Sequence, residues 1–173
     1  MAEGGGSLWR KTMVLSNAKG EDEAFSIGPD GFVWHYVMGQ GRVGAGRLLC
    51  TGLAAEVFSA AALPNGRRLL MGAQGLSVTC CMEQDAAMGG GWSSPKPASL
   101  QLDRRAETIE RLGIRPMATR VWLEVVTTRA GEGGAAVREL WQGAWLDDHA
   151  VFASQPIRQV TSLDEAWSRA FEG

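Results

Sequence analysis

Residues 13–31 (MVLSNAKGEDEAFSIGPDG) and 57–75 (VFSAAALPNGRRLLMGAQG) align without a gap at a spacing of 44 positions. Val14 meets Phe58, Phe25 meets Leu69, Ile27 meets Met71, Gly28 meets Gly72 and Gly31 meets Gly75. A fixed period in the forties is the signature of β-propeller blades and related repeat arrays, where each unit buries its apolar face only against its neighbours. The repeat therefore points to an all-β chain of stacked antiparallel units, and to a binding or scaffolding platform before a catalyst. Glycine use agrees. The chain has 23 glycines in 173 residues, grouped with Asp, Asn, Gln and Pro between short apolar runs, which is the turn chemistry of a fold with many short strands.

The expected organisation is a flexible tail over residues 1–11 followed by a single β-rich domain over 12–173, with propeller-like units at 12–53, 57–100 and 117–160. In the first unit Pro29-Asp30-Gly31 makes a tight turn ahead of the strand Phe32–Met38. In the second, Pro64-Asn65-Gly66 has the same role, and Pro95 and Pro97 mark an edge strand because each lacks a ladder donor. The third unit is degenerate and has lost the Gly-x-x-Gly turn. Residues 102–112 (LDRRAETIERL) predict an inserted helix, capped by Asp103, ended by Gly113 and Pro116, with Ile109 and Leu112 as its apolar stripe. Residues 162–171 predict a terminal amphipathic helix. A ring of blades needs about four to eight of them, and two clear units with one degenerate unit fall short. Unpaired sheet edges have to be covered or paired, so other protein subunits or a second copy of the chain are the expected partners.

Bulk properties narrow the field. Hydrophobic residues make up 45% and charged residues 21% of the chain, enough apolar surface for a folded core. A net charge of −2 gives no basic footprint for nucleic acid. No apolar run approaches the roughly 20 residues of a spanning helix, and MAEGGGSLWRKT lacks the charged and apolar regions of a signal peptide. A cytoplasmic location, or a place within a soluble assembly, is the expectation. The three cysteines, Cys50, Cys80 and Cys81, are odd in number with two adjacent, which is not a disulfide framework.

Each constellation that could carry chemistry meets a simpler reading. His35 and His149 are far apart and Cys80-Cys81 lacks C-x-x-C spacing, so no metal site is expected. A thiol with His149 and Asp147 can be drawn as a triad, but nothing local activates the thiol. Glu21-Asp22-Glu23 and Asp147-Asp148 sit in polar turns. Gly39–Gly46 (GQGRVGAG) superficially resembles a phosphate loop, yet the run that follows it has the pattern of a strand rather than a helix N-terminus. No catalytic residue and no cofactor is therefore expected. Trp34, Trp92, Trp122, Trp141 and Trp145 offer flat faces, with His35, Arg42, Arg47 or Arg67 as polar partners, although indoles also pack between short strands.

FSIGPDGFVWHY (Phe25–Tyr36), the Asn65–Arg67 turn and GGGWSSPKPASL (Gly89–Leu100) occur in the order in which tectonin-like and bacterial propeller-lectin repeats carry similar motifs. The resemblance covers roughly residues 12–100. It implies a blade-like fold and a carbohydrate-binding module using Trp34, His35 and Trp92 with Arg47 and Arg67. The second unit has Leu76-Ser77-Val78-Thr79-Cys80 where the first has Phe32–Tyr36, so the Trp-His pair is absent there. The leading expectation is accordingly a non-catalytic scaffold or accessory structural subunit, with Trp9, Trp167 and Phe171 as interface anchors; the alternative is a lectin-like module with a glycan ligand.

Overall fold

A computed structural model describes residues 9–17, 19–37, 46–84, 90–102, 104–146, 149–152 and 158–160. Alternation of apolar and polar side chains produces the strands. In Asp22–Ile27, Phe25 and Ile27 point inward and are fully buried, while Ala24 and Ser26 point outward. The turn that follows is closed by Asp30, whose Oδ1 accepts from the Phe32 amide at 3.1 Å, and by Gly31 at φ 82°. The Asn65-Gly66 turn repeats the device: Asn65 Oδ1 accepts from the Arg67 amide at 3.0 Å and Gly66 has φ 83°. Only glycine takes such a φ without steric cost.

The strands form three antiparallel sheets. The first is β1 (Arg10–Ser16), β2 (Asp22–Ile27), β3 (Phe32–Val37) and β4 (Arg47–Ala54), paired in chain order. The second is β5 (Val57–Ala62), β6 (Arg68–Gln74), β7 (Ser77–Met82) and β8 (Lys96–Leu100). The third is β9 (Thr108–Pro116), β10 (Val121–Ala130), β11 (Ala136–Leu146) and β12 (His149–Phe152), with β13 (Arg158–Val160) sharing the β11 edge with β12. A two-residue parallel join, His149 to Ser99 and Ala150 to Leu100, links the third sheet to the second. Among the described residues no sheet closes on itself. At the far edges β5 and β9 meet without a ladder among the described residues, through the Ile114 amide donating to Ser59 Oγ at 3.3 Å.

The second sheet is the middle layer, and its two faces hold the two cores. Leu69, Met71, Ala73 and Val78 pack on Ile109, Leu112, Leu123, Val125, Trp141 and Trp145 of the third sheet. On the opposite face Ala60, Leu70 and Cys81 pack on Phe25, Ile27, Val33 and Leu53 of the first. Full burial of each large apolar side chain contributes about 1.5–3 kcal/mol, so both sandwiches are held by their own cores. Gly72 sets the spacing of the first sandwich. A Cβ there would lie 2.7 Å from the Ala55 Cβ and 2.8 Å from Leu53 Cδ2, so glycine lets the end of β4 rest on β6.

The expected helix over 102–112 is absent, and its second half, from Thr108 on, belongs to β9. Ile109 and Leu112 do share a buried face, but because a register shift at Val126/Thr127 inserts an extra residue between them. A bulge of this kind puts residues i and i+3 on one side of a strand, which imitates helical spacing. The exposed edge of β10 supplies the partner that decides for strand. The expected tail over 1–11 overlaps β1, which begins at Arg10. Residues 1–8, Asp103, most of the glycine loop from Gly39, Asp147-Asp148 and the expected helix over 162–171 with Trp167 and Phe171 lie outside the described residues. Among the described residues no helix is long and apolar enough to cross a membrane.

Candidate functional site

A charged or polar side chain on the inward face of an alternating strand has to be answered by a partner, and the first sandwich joins three such titratable residues. Glu23 on β2 sits on the same face as Phe25 and Ile27. It is 3% exposed, as is His35 on β3, and Arg68 at the start of β6 is 6% exposed. Trp92 Nε1 donates to His35 Nδ1 at 3.2 Å. An indole N–H can only donate, so Nδ1 is the bare nitrogen and Nε2 carries the hydrogen. Nε2 then donates to Glu23 Oε2 at 2.7 Å. The other Glu23 oxygen accepts from an Arg68 terminal nitrogen at 3.5 Å. Arg68 grips Glu83 with both of its remaining groups, Nε to Oε2 at 2.9 Å and the second terminal nitrogen to Oε1 at 2.8 Å. Phe25 stacks on the imidazole at 4.4 Å and 5°, meets the Trp92 indole edge-on at 5.8 Å, and lies beneath the guanidinium carbon of Arg68 at 5.7 Å.

This chain of five polar side chains joins the first sheet to the second. Burial, with the Arg68 charge adding to it, holds the His35 imidazole below its ordinary value against the opposing pull of Glu23. Burial by itself pushes the Glu83 carboxyl up, but the hydrogen bonds and charge of Arg68 outweigh it and hold the group below the ordinary carboxylate range. The same carboxylates keep Arg68 above its usual value despite burial. Both His35 nitrogens are engaged, Nδ1 by the Trp92 N–H and Nε2 by the Glu23 carboxylate, so the imidazole links Trp92 to Glu23.

Both lowered groups bind protons in the unfolded chain at a pH where the folded chain does not. Stability is therefore expected to fall as the pH drops through about 6.5, from His35, and to fall further below about 4.3, from Glu83. Urea midpoints measured from pH 8 down to pH 4 check this; a midpoint constant down to pH 5 contradicts the His35 assignment.

The five expected ligand residues are not brought together. Trp34 and His35 alternate on β3, so His35 points into the sandwich and Trp34 out of it. Trp34 Nε1 donates to both Asp30 oxygens at 3.1 Å, and Trp9 packs on its ring edge-on at 6.3 Å. Arg47 is exposed at the start of β4. Arg67 Nε donates to the Glu83 carbonyl at 3.0 Å. Only Trp92 meets His35. Trp141 and Trp145 are core residues, with Trp141 Nε1 donating to Thr127 Oγ1 at 2.9 Å. Glu23, expected in a polar turn with Glu21 and Asp22, lies instead on the buried face of β2 in step with Phe25 and Ile27, while Arg68 and Glu83 escaped the sequence reading as site residues.

The cysteines separate by face. Cys50 is exposed on the outer side of the first sheet, opposite Trp34. Cys81 is buried, and burial with the neighbouring Cys80 pushes its thiol up to about 12, so it is no nucleophile at neutral pH. Among the described residues no group of three His, Cys, Asp or Glu side chains is placed to hold a metal ion. A cleft of about 660 Å3 opens between the second and third sheets, lined by Leu63, Asn65, Met82, Arg120 and Trp145 among others.

Among the described residues no further strand packs on the outer face of the first sheet, where Ala24, Trp34 and Tyr36 are half-buried. One cross-strand row runs Val14, Ala24, Tyr36, Leu48 through the register of all four strands. Val14 is 59% exposed, Leu48 52% and Trp9 38%. No protein-family model matches this chain, and no curated protein is similar to it in sequence.

Proposed function

We propose that the chain is a non-catalytic structural subunit that docks on protein through the outer face of its first sheet. The row Val14–Ala24–Tyr36–Leu48, exposed at Val14 and Leu48 and half-buried at Ala24 and Tyr36, carries this reading, because exposed apolar side chains gathered on one sheet face mark interaction surfaces. Trp9 and Trp34 at the rim supply the aromatic area on which protein interfaces usually anchor. The resemblance to tectonin-like repeats supports treating the three stacked sheets as blade-like units of an unclosed array, whose end face is meant to be covered. The engagement of both His35 nitrogens supports a non-catalytic role for the most prominent buried polar cluster.

A photo-crosslinking residue placed at position 48 tests the reading in intact cells. Light is expected to produce a protein adduct from position 48 and none from position 76, an equally solvent-facing leucine in the β6–β7 turn. A position 48 that yields no protein adduct contradicts it.

A further inference from the structure

We propose that the cleft between the second and third sheets binds a small organic acid, an apolar body carrying one carboxylate. The two sheets enclose a single core. β8 joins β12 on one side and β5 meets β9 on the other, so eight strands surround Leu69, Leu123 and Trp141 like a flattened barrel with an unlaced seam. An eight-stranded barrel has room inside for side chains or for one small ligand. Here side chains fill the middle, and the free space lies at one mouth, where β5, β7, β9 and β11 end and β6 and β10 begin. Barrel mouths are a usual place for ligand sites, and a volume of about 660 Å3 is within the range such sites have. At the opposite mouth the hollow is about 320 Å3, and its charges answer one another, Arg138 pairing with Glu110 at 2.7 Å.

The lining selects the class of ligand. Leu63, Met82 and Val121 are half-buried and Trp145 is buried, which gives the cleft apolar walls on both sheets. Arg120 adds a positive charge, and among the described residues the wall has no carboxylate to neutralise it. Arg115, Arg129 and Arg138 of the same sheet all pair with glutamates. Arg120 makes no hydrogen bond or ion pair among the described residues. Its place in the turn is fixed, since the Met117 amide donates to the Arg120 carbonyl at 2.7 Å. From the second sheet, Asn65 uses its Oδ1 to accept from the Arg67 amide at 3.0 Å, which leaves its NH2 group to donate. A guanidinium and an amide NH2 donate only, so the group they hold is an acceptor. A carboxylate matches the planar guanidinium fork and carries the single charge that one arginine answers. A doubly charged phosphate would keep a charge unanswered beside apolar walls.

Titration of the isotope-labelled full chain with phenylbutyrate, followed by amide chemical shifts, tests the proposal, with phenylbutanol as the uncharged probe. The acid is expected to saturate one site with a Kd on the order of 100 µM, moving the amides of Leu63, Asn65, Arg120 and Val121. The alcohol is expected to bind there about tenfold more weakly. Arg120→Gln, an exchange in an exposed turn, is expected to keep the spectrum of the folded chain and to reduce the acid to the affinity of the alcohol. Arg47→Gln, at an exposed arginine of the first sheet, is expected to change neither affinity. No saturable shift from the acid below about 10 mM overturns the site. An alcohol that binds as tightly as the acid, or acid binding that survives Arg120→Gln, overturns the recognition of a carboxylate by Arg120. Shifts gathered on the first sheet overturn its placement in the cleft. The cleft shares no residue with the first sheet, so each of these failures leaves the docking reading standing.

Discussion

Replacing Arg68 with methionine is expected to cost about 3–5 kcal/mol of stability, the loss typical when one partner of a buried ion pair is removed. The loss does not come from the Glu83 contact alone, because the Glu83 side chain is 30% exposed and can return to water. It comes from Glu23, which is left as a carboxylate between two sheets with His35 as its single described partner. Arg68 also covers the Phe25 ring, so methionine restores the packing volume without the charge. Adding Glu23→Gln to Arg68→Met removes the orphaned charge and is expected to recover about 1–2 kcal/mol, a coupling of the size seen for residues in one network. Urea denaturation of the two variants and the wild type measures both numbers. A loss under 1 kcal/mol for Arg68→Met would show that the two sheets are not tied here.

Phe25→Ala is expected to cost about 3–5 kcal/mol, the usual range for emptying a buried aromatic site. Phe25 is fully buried at the centre of the first sandwich and touches His35, Trp92 and Arg68 together. Its removal opens a cavity beside a hydrogen-bonded imidazole, so water gains access to His35 and the acid sensitivity below pH 6.5 should flatten in the same variant. Phe32→Ala is the control, since Phe32 is partly exposed on the opposite face and should change stability by no more than about 0.5 kcal/mol. Equal losses from the two variants, followed by thermal unfolding, would contradict the assignment of faces. Because small domains are stable by only about 5–15 kcal/mol, either Arg68→Met or Phe25→Ala could leave the chain partly unfolded at growth temperature.

The all-β class was legible because alternation and turn chemistry are local properties. Phe25 and Ile27 face the next sheet, and so do Leu69 and Met71, their partners in the sequence repeat. What misled was β9, where a bulge gave Ile109 and Leu112 the spacing of a helix and the strand β10 that enforces the extended form lies outside the segment. The candidate site was only half legible. His35 and Trp92 stand out by residue type, but their meeting across 57 positions is a tertiary event. Arg68 and Glu83 look like ordinary turn charges until the stacking of the first sheet on the second buries them. The outer face was hidden for the same reason: Val14 and Leu48 have the look of core residues until the third dimension shows no sheet on that side among the described residues.

The arrangement of the first sheet, with one face locked onto the second and the other open, is tested most directly by two thiols, Cys50 of β4 and Cys81 of β7 in the second sheet. Cys50 and Cys81 lie on the open and locked sides. In dilute folded protein a small alkylating reagent, with the modified positions located by fragment masses, is expected to modify Cys50 fully while Cys81 reacts only when the chain unfolds globally. Modification of Cys81 in the folded chain at a rate matching Cys50 would contradict the account.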